Sequence, residues 1–272
     1  LKPFSYGEFQ DSVMSVIRVK REPSQTNRIL LEAQDLLNQD ELTEAEALFL
    51  RVQAEAPQSA RALHGLAQIA RKQDKGEKAI ELLKEAHSLN GDYVEALRDL
   101  IELLQLKGPV LDVMEYARKA HNLSPENPKY TLILAKTLLE KENFAESEAF
   151  FKKTIRLSPK LAQAYKGLGQ LYLIQDDYES AMKNFEKSLD LDDNDVGTLN
   201  SLGTTYVKLG KFQDGITKYQ AALRIKPNDA RILFNLGYAK EKLNDVESAR
   251  YYYRKALTLD PDFDKAKRRL AA

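Results

Sequence analysis

Between Ala162 and Pro261 one arrangement of large apolar, small and polar positions is written three times, at a fixed interval of 34 residues. Tyr165, Leu199 and Leu233 open it, and Leu168-Gly169, Leu202-Gly203 and Leu236-Gly237 follow three residues later. Ala181, Gly215 and Ala249 recur further on, each ahead of an aromatic residue at Phe185, Tyr219 or Tyr253, and a stop comes at Asp193, Pro227 or Pro261. Two antiparallel helices joined by a tight turn need small residues where their backbones meet, and an aromatic ring fills the space between neighbouring pairs. No such pair buries its own apolar face, so the array is the unit of stability.

The interval holds without insertion or deletion from Thr26 to Phe263, in blocks 26–59, 60–93, 94–127, 128–161, 162–195, 196–229 and 230–263. A closing Pro stands at Pro57, Pro125, Pro159, Pro227 and Pro261, and Gly91 and Asp193 take its place as turn formers. The third block departs from the pattern: Ile101 and Val113 replace small residues, Ala117 stands where an aromatic would, and Gly108-Pro109 marks its inner turn. Glu32 in the first block replaces a Leu and suits an outer face. Residues 264–272 form a short capping helix, with Leu270 on its apolar side and Lys265, Lys267, Arg268 and Arg269 keeping it soluble.

An opening large residue, a Leu-small pair, a central small residue, an aromatic and a closing Pro at this period resemble the tetratricopeptide repeat. The resemblance implies an all-α fold, a right-handed superhelical solenoid of seven helix-turn-helix repeats with a C-terminal cap. It also implies that a partner lies along the concave wall, against the second, fifth, ninth and twelfth residues of each block. In blocks two and three these include Arg61, His64, Gln68, Arg71, Glu95, Arg98 and Glu102. Blocks four and five supply Lys129, Leu132, Lys136, Leu139, Lys166, Gln170 and Leu173, and blocks six and seven Asn200, Thr204, Arg231, Phe234, Tyr238 and Glu241. The middle of that wall, apolar spots between basic ones, fits an extended peptide or a helix with apolar anchors and acidic groups. Some family members grip a chaperone's terminal carboxylate with a Lys and Asn set. That clamp is incomplete here, with Gln170 beside Lys166 and Ser201 in the next block.

Residues 1–21 stand outside the repeat. Ser5 and Glu8 form a capping box, and Phe9, Val13 and Ile17 make an apolar stripe on the helix that follows. With Lys2-Pro3 ahead of it, this segment resembles the end of a response-regulator receiver domain, its last strand and final helix. The resemblance implies that Lys2 is the receiver's phosphate-contacting lysine; the alternative is a plain N-terminal cap. The stripe needs cover, expected on the first block and otherwise from a second copy in a homodimer. Residues 22–25 are a polar linker.

The chain has 41 basic and 41 acidic residues, which sets up no net field for nucleic acid. It has no cysteine, so disulfides and thiolate sites are excluded and the cytoplasm is the expected compartment. No run of about 18 apolar residues provides a membrane span. Among the three histidines, His87 and His121 take a spot that is Leu in later blocks and are expected to pack, and His64 is the one that could face a ligand. Asp192, Asp193 and Asp195 are read as turn and cap residues, and of Tyr251, Tyr252 and Tyr253 not all can face inward. No catalytic constellation, phosphate loop, cofactor motif or metal spacing stands out. The sequence therefore reads as a non-catalytic protein-binding scaffold, the output region of a response regulator. An adaptor for assembly or secretion of an envelope or pilus machine is the alternative.

Overall fold

The structure, a computed structural model, describes residues 24–271. Among these residues all regular structure is helical. The helices are α1 (Ser24–Asn38), α2 (Leu42–Glu55), α3 (Ala60–Lys72), α4 (Gly76–Leu89), α5 (Val94–Lys107), α6 (Val110–Leu123), α7 (Pro128–Glu140) and α8 (Phe144–Leu157). They continue with α9 (Ala162–Ile174), α10 (Tyr178–Leu191), α11 (Val196–Lys208), α12 (Phe212–Ile225), α13 (Ala230–Lys242), α14 (Val246–Leu259) and α15 (Asp264–Ala271). The fold class is the all-α repeat solenoid read from the sequence. The receiver-like segment, with Lys2 and its stripe, lies outside the described residues.

The chain divides into two compact units, Leu1–Glu140 and Lys141–Ala272. In the first, α1/α2, α3/α4 and α5/α6 pack as pairs, each onto the next, and α7 packs on α6. In the second, α8 packs on α9, the pairs α9/α10, α11/α12 and α13/α14 follow, and α15 covers α14.

The turn inside each repeat has one chemistry. Asp40, Asp74, Glu142, Asp176, Gly210 and Asn244 have φ between 57° and 74°, the left-handed region. They stand at multiples of 34 along the chain. The residue after five of them returns its N–H to a carbonyl five residues back, as Lys75 does to Ala70 (2.9 Å) and Lys211 to Tyr206 (2.8 Å). This is a Schellman closure, and it satisfies carbonyls that the end of a helix leaves bare. Gly210 adopts the conformation freely. The third repeat differs at the same position. Gly108 has φ −96° and ψ 165°, because the ring of Pro109 forces the preceding residue into extended geometry.

Helix polarity is also written in the chain. Every second helix from α2 to α14 carries an acidic residue in its first turn, such as Glu44, Glu77, Glu179 and Glu247, where the partial positive charge of the helix end favours it. Asp195 and Asp245 cap α11 and α14 through the backbone N–H groups of Thr198 and Ser248. Asp195 is thus the cap residue that the acidic run foretold.

The small residues do what close packing asks of them. A β-carbon on Gly203 would lie 2.6 Å from the ring of Tyr219, the fully buried aromatic of its own repeat. One on Gly167 would lie 2.2 Å from Phe151, the aromatic of the repeat before. The ring thus fills space on both sides, within its own pair and towards the next. In the third repeat Ile101, Val113 and Ala117 are all buried, so the exchange of large for small keeps the core filled. Of the three consecutive tyrosines, Tyr253 is buried and Tyr251 is exposed.

Candidate partner-binding surfaces

In the first unit the exposed side of the first helices is tied together from repeat to repeat. Gln34 reaches Gln68 (3.5 Å) and Arg61 reaches Asn27 (3.1 Å). At the centre lies a buried polar cluster. His64, 5% exposed, sits between the Tyr93 hydroxyl at Nδ1 and the Asp99 carboxylate at Nε2, each at 2.9 Å. Gln68 donates to the same carboxylate oxygen (3.3 Å), and Arg98 meets the other at 3.0 Å. Burial opposes the charge on Asp99, but the His64 ring, Arg98 and Gln68 outweigh it and hold the carboxyl well below the usual range. His64 is therefore neither a solvated residue nor a free ligand group but the hub of a cross-repeat network. Beside it, Leu30, Gln34, Arg61, Gln68, Tyr93 and Arg98 border a polar hollow of about 220 Å³. Glu102 accepts from Lys129 (2.6 Å) and lies 4.0 Å from Arg71, so one carboxylate is shared between two of the expected cations and one positive charge is left over.

Leu132 corrects the expectation of an exposed apolar anchor: it is 7% exposed. The helix around it, Pro128–Glu140, has eight buried residues, and Leu132 holds the fifth position of its block, the one that also buries His64. Lys136 and Leu139 are half-buried.

In the second unit Lys166 is committed as well. Its ammonium meets both oxygens of Asp195 at 2.9 Å. The same carboxylate accepts from the Thr198 N–H (2.7 Å). Desolvation works against the charge of Asp195, yet Lys166 and the cap hydrogen bond keep its carboxyl below the normal value. Gln170 is half-buried, and Leu173 packs against the buried cluster of Ala181, Phe185 and Leu202. Asn200 accepts from Asn235 (2.9 Å), and Thr204 exchanges a hydrogen bond with the Tyr219 hydroxyl (3.0 Å). Burial pushes the Tyr219 phenol up to about 12, so it stays neutral there. Arg231 is exposed at the start of α13, close to Asp229.

Three of the expected residues converge. Thr204, Phe234 and Tyr238 line an open groove of about 590 Å³ between α11, α13 and α15. Val207, Phe212 and Tyr219 complete its apolar side, and Lys208, Lys242 and Arg269 its charged side. Phe234 stacks near Tyr253 and Phe263, with ring centres 5.4 and 5.1 Å away. Tyr238 has Lys242 over its ring at 5.3 Å and the Arg269 guanidinium at 5.0 Å. Arg269 also donates to Glu241 (2.8 Å), so this exposed charge of the cap borders the groove as well.

Position numbering missed Asn235, Lys208, Lys242 and Arg269. Lys208 and Lys242 carry a signal, being 34 residues apart and one place beyond the twelfth position. Asp99 and Tyr93 carry none, since their partnership with His64 depends on how far one repeat is turned against the next.

His87 is half-buried and edge-on to Tyr116 at 5.6 Å, consistent with packing, and burial lowers its pKa. Among the described residues no three His, Asp or Glu side chains come together as a metal site, and no helix is long and apolar enough to cross a membrane.

No curated protein matches the chain. Solved structures do. YrrB, described as a TPR protein with an unusual peptide-binding site, is 18% identical with a TM-score of 0.58, over 71% of this chain and all (100%) of its own. PilF of Pseudomonas aeruginosa is 19% identical (TM-score 0.65) over 78% of this chain and 97% of its own. A tetratricopeptide repeat protein of Parabacteroides merdae is 17% identical (TM-score 0.63) over 92% and 98%. Likeness at these identities speaks for the fold alone. The sequence evidence goes further: one tetratricopeptide-repeat family model matches residues 30–105 and 200–262, more than half of the chain, and a second matches 129–194. With the 34-residue phase, the glycine–aromatic packing and the repeated Schellman turns, these matches make the chain a member of the tetratricopeptide-repeat family.

Proposed function

We propose that this protein is a non-catalytic interaction scaffold that holds a segment of another protein against the exposed faces of its first helices. The observation that carries the reading is the groove between α11, α13 and α15, where Thr204, Phe234 and Tyr238 stand together around space for an apolar side chain. The peptide-binding site named for YrrB accords with it. The surface available to a partner is narrower than the four wall positions of each 34-residue block implied. Leu132 is withdrawn into the core, and Lys166 is occupied by Asp195.

The test is site-specific photo-crosslinking in the producing cells. A photoreactive residue placed at Arg71 or Lys208, on first helices, should trap a discrete partner. The same residue at Lys187, Arg250 or Tyr251, on second helices, should not. Crosslinks from the second-helix positions alone would reverse the assignment.

The finer reading makes this scaffold the output region of a response regulator, with phosphorylation upstream altering how it meets its partner. It rests on Lys2, Pro3 and the stripe of Phe9, Val13 and Ile17. Acetyl phosphate should label an aspartate encoded ahead of Leu1 and change partner crosslinking from Lys208. If the upstream reading frame lacks an acidic pair and a phosphoacceptor Asp, that context is gone and the scaffold reading is untouched.

A further inference from the structure

We infer that the groove of the second unit selects an acidic segment carrying a bulky apolar side chain, and that the terminal helix α15 is part of the recognition surface. This rests on the scaffold reading and names the chemistry of its ligand.

Charge complementarity carries the argument. Three cations line the groove and no carboxylate does. Lys208 and Lys242 are exposed. Each lies over a tyrosine ring, Tyr178 at 5.8 Å and Tyr238 at 5.3 Å. Arg269 shares its charge with Glu241, which also accepts from the Tyr253 hydroxyl (2.6 Å), so part of that charge is already answered. Lys208 and Lys242 are the open electrostatic positions. In a chain with equal numbers of acidic and basic residues, a concave site bordered by one sign is a local choice, and its low-dielectric walls concentrate the field.

The floor supplies the second requirement. Phe212, Phe234 and Tyr238 are half-buried, leaving part of each ring to the groove, and Tyr219 closes the bottom. An incoming aromatic or long aliphatic side chain covers these rings, while flanking carboxylates reach the cations on the rim. Asn200 and Asn235, joined at 2.9 Å on α11 and α13, have remaining amide capacity for a ligand backbone beside the groove. Arg269 belongs to α15, so α15 contributes a wall as well as cover for the last repeat.

The same cations would take a carboxylate or a phosphate, and the experiment separates the two. The probe is a fluorescein-labelled nonapeptide, acetylated and amidated at its ends, with one central Phe flanked by glutamates. Anisotropy is measured with the full 272-residue chain. Saturable binding should weaken with salt. Replacing the glutamates by glutamine, or the central Phe by Ala, should each cost about tenfold in affinity. A peptide in which phosphoserines replace the glutamates reports which anion is preferred: binding more than tenfold tighter than the glutamate probe assigns the site to phosphate and overturns the acidic-segment form of the inference. Lys208→Glu with Lys242→Glu, at exposed tips, should abolish binding with the circular dichroism spectrum unchanged, and Arg269→Gln should weaken it. If the glutamate peptide does not bind, if the glutamine peptide binds equally well, or if the double reversal has no effect, the inference fails. Partner crosslinks from Lys208 that survive such a result would leave the scaffold reading standing, and their loss would remove both.

Discussion

Replacing Asp99 by Ala tests whether the buried cluster of the first unit is structural. The carboxylate is 6% exposed and receives His64 and Gln68 on one oxygen and Arg98 on the other. Arg98, 45% exposed, recovers water when the carboxylate goes and contributes little. The His64 ring, 7% exposed, cannot: its Nε2 loses the carboxylate acceptor and keeps only the Gln68 amide nitrogen, itself a donor, at 3.2 Å. A buried donor without an acceptor costs about 1–3 kcal/mol, and the Gln68 amide and the small void add to it. The expected loss is about 3 kcal/mol, the lower end for breaking a buried pair. Urea unfolding followed at 222 nm measures it, and hydrogen exchange should place the loss in α3 and α5. The pH dependence has a definite sign. The folded carboxyl lies well below its unfolded value of about 3.9, so its contribution is complete above that pH and is lost progressively as pH falls from there through the folded value. The gap between the native chain and Asp99→Ala should therefore begin to narrow under about pH 4 and close only as pH passes through the lower folded value. A double-mutant cycle with His64→Ala isolates the pair. A loss under about 1 kcal/mol at pH 7, or a gap that stays constant as pH is lowered well below the unfolded value, would refute the account.

Three smaller perturbations follow. Gly203→Ala gains up to about 1 kcal/mol of helix propensity but drives a methyl into the buried Tyr219 ring at 2.6 Å, so a net loss of about 1–2 kcal/mol is expected in thermal unfolding. Glu142→Gly relieves a left-handed residue with φ 57° and should stabilise by about 1 kcal/mol, whereas Gly210→Ala, at φ 74°, should cost a similar amount by the same assay. Lys166→Ala breaks an ion pair that is 28% exposed on the lysine side, so the loss should stay within about 1 kcal/mol and shrink in high salt.

The repeat phase was legible because it is local: the apolar spacing, the Gly beside Leu and the closing Pro are fixed within each block. The Schellman positions were equally present, since Asp40, Asp74, Asp176, Gly210 and Asn244 share one phase, but Asp reads as an ordinary turn residue unless the period is followed through it. The faces of the first helices were legible only in part. Leu132 and His64 occupy a position that looks outward in isolation and is covered once helices stack. Lys166 looked like a free cation because Asp195, 29 residues on, had been assigned only to capping. The groove came out best where chemistry and period coincide, at Thr204 and Tyr238, and worst at Arg269, which lies past the last full repeat.

The regular turns have a bearing on how such a chain can change length. Each carries its own closure within a few residues, so excising residues 196–229 joins Asp195 to Ala230 and leaves every remaining turn with its native sequence. An excision one residue shorter or longer would spoil the cap or rotate the following helix by about 100°. Whole modules are thus the natural currency of gain and loss in this protein, and removing that one would take Lys208 and Phe212 with it, halving a binding surface while sparing the folding grammar.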